Sequence, residues 1–303
     1  MSREQLDAIV EALRAQAKLV PDELHALRTF YETISEARPI PAGVLVEPVD
    51  VAGIPGAWYR PKGVETKRTV LYFHGGGYVI GSLKTHAPLM GQLALSARAN
   101  VLGVEYRLAP EHPHPAAIED ARKAFDWLMA SGCAIGDIAI AGDSAGGGLT
   151  LALLVQLRDD GVALPKAGVC FSPWTDMACT GDSLVDRVAL DPYVDLPGLE
   201  GMAQMFIGDG SAQDPLASPM YADLTGLPPL LIQVGTAEIL LDDATRVAAC
   251  AQVAGVDVTL EIWDDMFHVW QIFSEILDEA MEAMEKAGRF IQKHTALDEA
   301  GKA

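Results

Sequence analysis

Ser144 stands in Gly142-Asp143-Ser144-Ala145-Gly146, with a glycine two residues to either side. A serine hydroxyl is a weak nucleophile and reacts only when held exposed on a tight turn beside a base. The apolar run 138–141 leads straight into Gly142, and helix-forming residues begin at Ala145. This strand–turn–helix setting makes Ser144 the candidate nucleophile of an acyl-transfer reaction. A serine serving only as a helix N-cap needs no apolar strand directly before it. The Ala145 amide, at a helix N-terminus, is a candidate donor to the oxyanion that forms when serine attacks a carbonyl.

His74-Gly75-Gly76-Gly77 follows another apolar run, 69–73. Consecutive glycines let backbone amides approach an acyl oxygen closely. Gly76 and Gly77 are the expected donors, with Gly75 a further candidate; His74 reads as structural. A glycine loop of this kind accompanies the serine turn in lipases and esterases.

In that architecture the chain order is serine, acid, histidine. Of the seven histidines only His268 and His294 follow at a sufficient distance. His294 lies in a polar tail and reads as solvated. His268 follows the strand-like run 256–263 and is the expected base. Glu238, Asp242 and Asp243 all follow the apolar run 230–234 and are candidates for the carboxylate that orients the imidazole. Glu238 falls in the loop leaving that strand and is favoured. Asp242 and Asp243 fall at the start of the next helix, where acidic residues serve as caps.

The elements that must position these groups alternate. Strands are expected at 44–51, 56–60, 69–74, 101–106, 138–142, 167–172, 230–234 and 256–263. Helices are expected at 89–99, 116–130, 145–157 and 242–254, with a long closing helix over 269–293. Such alternation predicts an α/β fold: a mostly parallel central sheet of about eight strands flanked by helices. The first two strands, joined through Gly-Ile-Pro, read as an antiparallel edge hairpin. Leu6, Ile9, Val10, Leu13 and Ala17 share one helical face, as do Leu24, Leu27, Phe30, Tyr31 and Ile34. These two helices read as a cap, and the Gly-, Pro- and Asp-rich stretch 175–225 as a cap insertion. The expected organisation is therefore cap helices over 1–40 and one catalytic domain over 41–303.

The 303 residues are 50% hydrophobic and carry a formal net charge of −20. That composition supplies a sizeable core and repels nucleic acid and anionic membranes. No window reaches the ~20 apolar residues a membrane span needs, and the charged N-terminus lacks a signal-peptide pattern. Cys133, Cys170, Cys179 and Cys250 form no CxxC pair; they read as reduced core or near-core thiols rather than a metal site. A cytoplasmic protein is expected.

Several longer stretches resemble the hormone-sensitive-lipase-like esterases, bacterial family IV: HGGGYVIGSLKTH, YRLAPEHPHPAAIEDA, GDSAGG, SPWTD and the DDMFHVW run around His268. The resemblance spans most of the chain from Val70 onward. It implies the α/β-hydrolase fold with a helical cap, hydrolysis of short- to medium-chain carboxylic esters, no cofactor, and often homodimers. Members commonly carry Asp-Pro-Leu where this chain has Glu238-Ile239-Leu240, so Glu238 stands in the acid position by substitution. By the same resemblance Arg107, Glu111 and His112 are loop scaffolding, and Asp143 is structural. Amide, thioester or deacetylation substrates are the alternative chemistry. A ligand receptor on this fold would lack the base, which His268 supplies. An outermost strand at 256–263 would offer an edge for pairing with a second copy.

Overall fold

The structure is a computed structural model that describes residues 3–295. Residues 1–2 and 296–303, the extremes of the expected cap and catalytic segments, lie outside it. An eight-stranded sheet runs in the order β1-β2-β4-β3-β5-β6-β7-β8. Its strands are β1 Val44–Val51, β2 Ile54–Pro61, β3 Thr69–Phe73, β4 Asn100–Val104, β5 Ile138–Asp143, β6 Ala167–Phe171, β7 Leu230–Gly235 and β8 Val258–Trp263. β1 and β2 form an antiparallel hairpin, β2 pairs antiparallel with β4, and every other pairing is parallel. β3, β5, β6 and β7 are buried along their whole length, as a sheet covered on both faces requires. The hairpin turns at Ala52-Gly53, both with positive φ. Ile54 and Pro55 therefore belong to the strand, and the expected Gly-Ile-Pro turn is displaced to residues that tolerate the left-handed region.

Helices α3 Leu83–Ala97, α4 Ala116–Ala130, α5 Ala145–Asp159, α8 Leu241–Val253 and α9 Asp278–His294 cover the sheet. α3 begins six residues earlier than expected. Ser82 and Thr85 form a reciprocal capping box, and Pro88 is carried inside the helix. The expected helix over 269–293 is broken. Val269 sits at φ 51, a short 3-10 turn spans Trp270–Phe273, and α9 starts at Asp278. The Val269 amide donates to Ser172 Oγ at 3.1 Å, so the backbone beside His268 is held out of helical geometry.

Four further helices are α1 Arg3–Ala17, α2 Leu24–Ser35, α6 Ser183–Asp186 and α7 Leu196–Ile207. Leu6, Ile9 and Leu13 of α1 pack on Met266, Phe267, Trp270 and Leu277. The first helix is thereby seated on the segment that carries His268. α2 is fastened by Arg28, whose guanidinium donates to the Val79 and Ala109 carbonyls and to both oxygens of Glu111, each at 2.8 Å. Phe206 of α7 stacks on Tyr78 with ring centroids 3.7 Å apart. α2 and α7 thus both bear on the loop that follows β3. No helix among the described residues is long and apolar enough to cross a membrane.

Candidate active site

β3 and β5 are neighbours, and the chain leaves them toward opposite edges of the sheet. Their C-terminal ends therefore flank a topological switch point, where parallel sheets open a crevice. The glycine loop leaves β3, Ser144 leaves β5, Glu238 follows β7 and His268 follows β8. Ser144, His268, Gly76 and Gly77 line one cavity of about 560 Å³.

Ser144 has φ 52 and ψ −121, a strained setting for a residue with a side chain. It is over-determined from three sides. Its amide donates to Phe171 O at 2.9 Å, and its carbonyl accepts from Gly148 N at 3.1 Å and Trp174 N at 2.9 Å. A Cβ at Gly142 would meet Gly146 O at 2.2 Å, and one at Gly146 would meet Phe73 O at 2.0 Å. The two glycines are thus steric requirements of the turn.

His268 Nδ1 lies 2.8 Å from Glu238 Oε2. The other carboxylate oxygen accepts from Ser172 Oγ at 2.8 Å and from Gly235 N at 2.7 Å. Imidazole and carboxylate are both buried. Burial by itself depresses an imidazole pKa. Here the hydrogen bond and charge of Glu238, with Asp191 and Asp143 farther off, outweigh it and hold His268 above its ordinary value. The Nδ1–Glu238 bond is the one side-chain hydrogen bond of His268 among the described residues, and Nε2 makes none there.

Asp242 and Asp243 lie elsewhere. Asp242 Oδ2 accepts from Ser183 N at 2.9 Å. Asp243 Oδ1 accepts from the amides of Thr175 and Asp176 at 2.8 and 2.9 Å. Both fasten the start of the 175–225 segment to α8. Burial pushes the Asp243 carboxyl up to about 7.

Asp143, expected to be structural, organises the glycine loop. Its Oδ1 accepts from Tyr72 OH at 2.6 Å and from Gly75 N at 3.1 Å, and Oδ2 lies 3.1 Å from His86 Nε2. Burial opposes charge on Asp143, yet His86 and the Tyr72 hydroxyl hold its carboxyl below the usual range. The Gly75 amide is consequently engaged and is not free for an acyl oxygen. The amides of Gly76, Gly77 and Ala145 have no partner among the described residues. Gly76 and Gly77 sit at φ 113 and 60, where only glycine is unstrained. His74 stacks on Tyr106 at 4.3 Å, and burial drives its pKa down to about 3, so it is a neutral packing element. Arg107 is held by Asp120 and Glu119, and Glu111 by Arg28, consistent with scaffolding.

His294 is half-buried against Phe290, with its pKa lowered by burial, and is absent from the cavity lining; the expectation of a solvated histidine is corrected. The cysteines are free, but Cys250 is exposed on α8 rather than near the core. No group of potential metal ligands occurs among the described residues. Of the apolar cap residues, Leu13 and Leu27 line the cavity, whereas Leu6 is buried in packing. Ser172 and Asp191 escaped sequence reading. Ser172 was visible only within the SPWTD stretch. Asp191 bonds the Ile239 amide at 3.0 Å from 48 residues away, a contact no local pattern encodes.

Fold and site define a serine-type carboxylic ester hydrolase. A family profile described as the α/β-hydrolase fold matches residues 70–272. The chain is 42% identical to an acetyl-hydrolase of Streptomyces hygroscopicus over 97% of this chain and 98% of that protein. It is 34% identical to an esterase of Acinetobacter venetianus over 94% and 92%. A solved esterase of the bacterial hormone-sensitive lipase family superposes with a TM-score of 0.95 at 44% identity, covering 98% of this chain and all of that one. EstE5, solved after soaking with p-nitrophenyl butyrate, gives 0.91 at 42%, covering 96% of this chain and 98% of that one. The chain belongs to the bacterial hormone-sensitive lipase family of esterases.

Proposed function

We propose that the protein hydrolyses short- to medium-chain carboxylic esters through an acyl-enzyme on Ser144. The observation that carries this reading is the buried His268–Glu238 contact of 2.8 Å in the cavity that Ser144 lines. His268 Nε2 takes the serine proton as Oγ attacks the ester carbonyl. Glu238 holds the imidazole tautomer and stabilises its cation. The amides of Gly76, Gly77 and Ala145 receive the oxyanion. His268 returns the proton to the leaving alcohol. It then activates water for attack on the acyl-enzyme, which releases the acid and restores Ser144.

Residues 1–40 and the 175–225 insertion serve as the cap over the catalytic domain of 41–303. The name of the acetyl-hydrolase relative supports a short acyl group. That name leaves the bond type open and favours acetyl amides or thioesters as a second reading. Free thiols support a reducing, cytoplasmic setting. The outer position of β8 supports pairing with a second copy.

A chain-length series of p-nitrophenyl esters, run beside matched acetyl ester, thioester and amide substrates, tests the reading. Turnover should peak at a short acyl chain, favour the ester and vanish in Ser144→Ala. A peak at long acyl chains, or faster amide cleavage, would refute the substrate assignment.

A further inference from the structure

Ser172 directly follows β6 and is buried. Its backbone stands at φ 45, and Val269, the residue after His268, stands at φ 51. The left-handed region is uncommon for a serine and a clear outlier for a β-branched valine. Such settings persist where the surroundings over-determine them, and they cluster at functional sites. One hydroxyl joins these two positions. Ser172 Oγ accepts from the Val269 amide at 3.1 Å and lies 2.8 Å from Glu238 Oε1. A backbone amide can only donate, so the hydroxyl proton is directed to the carboxylate. Glu238 Oε1 thus receives Ser172 Oγ–H together with the Gly235 amide, which leaves Oε2 to accept from His268 Nδ1.

The preceding residue completes the arrangement. The Phe171 carbonyl accepts from the Ser144 amide at 2.9 Å. Residues 171 and 172 therefore touch the serine turn after β5, the acid loop after β7 and the backbone beside the histidine after β8. We propose that Ser172 is a positioning residue for ester hydrolysis: its hydroxyl fixes the Glu238 carboxylate against the backbone that carries His268, and so aims imidazole Nε2 at Ser144. This assignment rests on the esterase reading above.

Two variants remove the hydroxyl. Ser172→Ala keeps a side chain at a positive φ, whereas Ser172→Gly suits that φ and leaves the backbone unstrained. Each should lower kcat for p-nitrophenyl acetate by about 10- to 100-fold, with KM little changed. A double-mutant cycle separates positioning from general support of the fold. In a Glu238→Gln background, removal of the hydroxyl should cost less than about threefold, because Ser172 acts through the carboxylate already lost. Wild-type kcat in Ser172→Gly overturns the proposal, and so does a full, additive loss in the Glu238→Gln background. A wild-type protein that does not cleave the ester, or a Glu238→Gln protein with undiminished turnover, would instead strike the esterase reading, and this inference with it.

Discussion

Two buried histidine–carboxylate pairs meet at the cavity that His268, His86 and Asp143 line: His268 with Glu238, and His86 with Asp143. Their residue types are nearly interchangeable; their wiring is not. His86 has both ring nitrogens engaged, Nε2 on Asp143 and Nδ1 on Thr85 Oγ1 at 2.7 Å. His268 spends only Nδ1, which leaves Nε2 free for the proton transfer proposed above. The carboxylates differ as well. Asp143 also grips the Gly75 amide and Tyr72, so it shapes the loop whose Gly76 and Gly77 amides are the proposed oxyanion donors. Glu238 is itself held by Ser172 and Gly235, so it presents one fixed oxygen to the imidazole. Proximity to the serine does not make a histidine a base; a free nitrogen backed by a fixed carboxylate does.

Substitutions can break this contrast, beginning with the most severe. His268→Ala should lower kcat by on the order of 10⁵–10⁶-fold, since nucleophile and base act as one unit. Glu238→Gln should cost about 10³–10⁴-fold by favouring the wrong imidazole tautomer. Asp143→Ala should cost about 10²-fold through displacement of the glycine loop, while His86→Ala should cost about tenfold or less, because Asp143 still holds Gly75. Steady-state kinetics on one short p-nitrophenyl ester ranks all four. If His86→Ala were as damaging as His268→Ala, the distinction between the pairs would collapse.

The smallest expected effect concerns pH. In the proposed mechanism the neutral imidazole is the base, and His268 is held above the ordinary histidine value. The acidic limb of kcat/KM should therefore have its midpoint above that value, with activity lost as pH falls through it. Asp191→Asn removes one negative charge that supports the imidazolium, so it should move the midpoint to lower pH while leaving the plateau largely intact. A midpoint that stays fixed in that variant would remove Asp191 from the electrostatics of the site.

The serine turn, the glycine loop, His268 and Glu238 were legible because each sits directly after an apolar strand, and strand ends in a parallel sheet converge. Their supports were less legible. Arg28, Ser172 and Asp191 act across 51, 66 and 48 residues of chain, and nothing local marks them. The break between His268 and α9 was hidden by helix-like apolar spacing. It is imposed by the Ser172 contact with the Val269 backbone, a tertiary bond that overrides periodicity. The early start of α3 was obscured by Pro88, which discourages a helix in sequence but is tolerated within a helix already fixed by its capping box.

The central claim is that Ser144 carries the acyl group during turnover. Mass spectrometry of intact protein quenched during p-nitrophenyl butyrate turnover, with Glu238→Gln used to slow deacylation, tests it directly. A butyryl adduct should appear, map to the peptide containing Ser144, and be absent when Ser144→Ala is added to the same background. An adduct on any other residue, or efficient ester turnover by the Ser144→Ala protein, would contradict it.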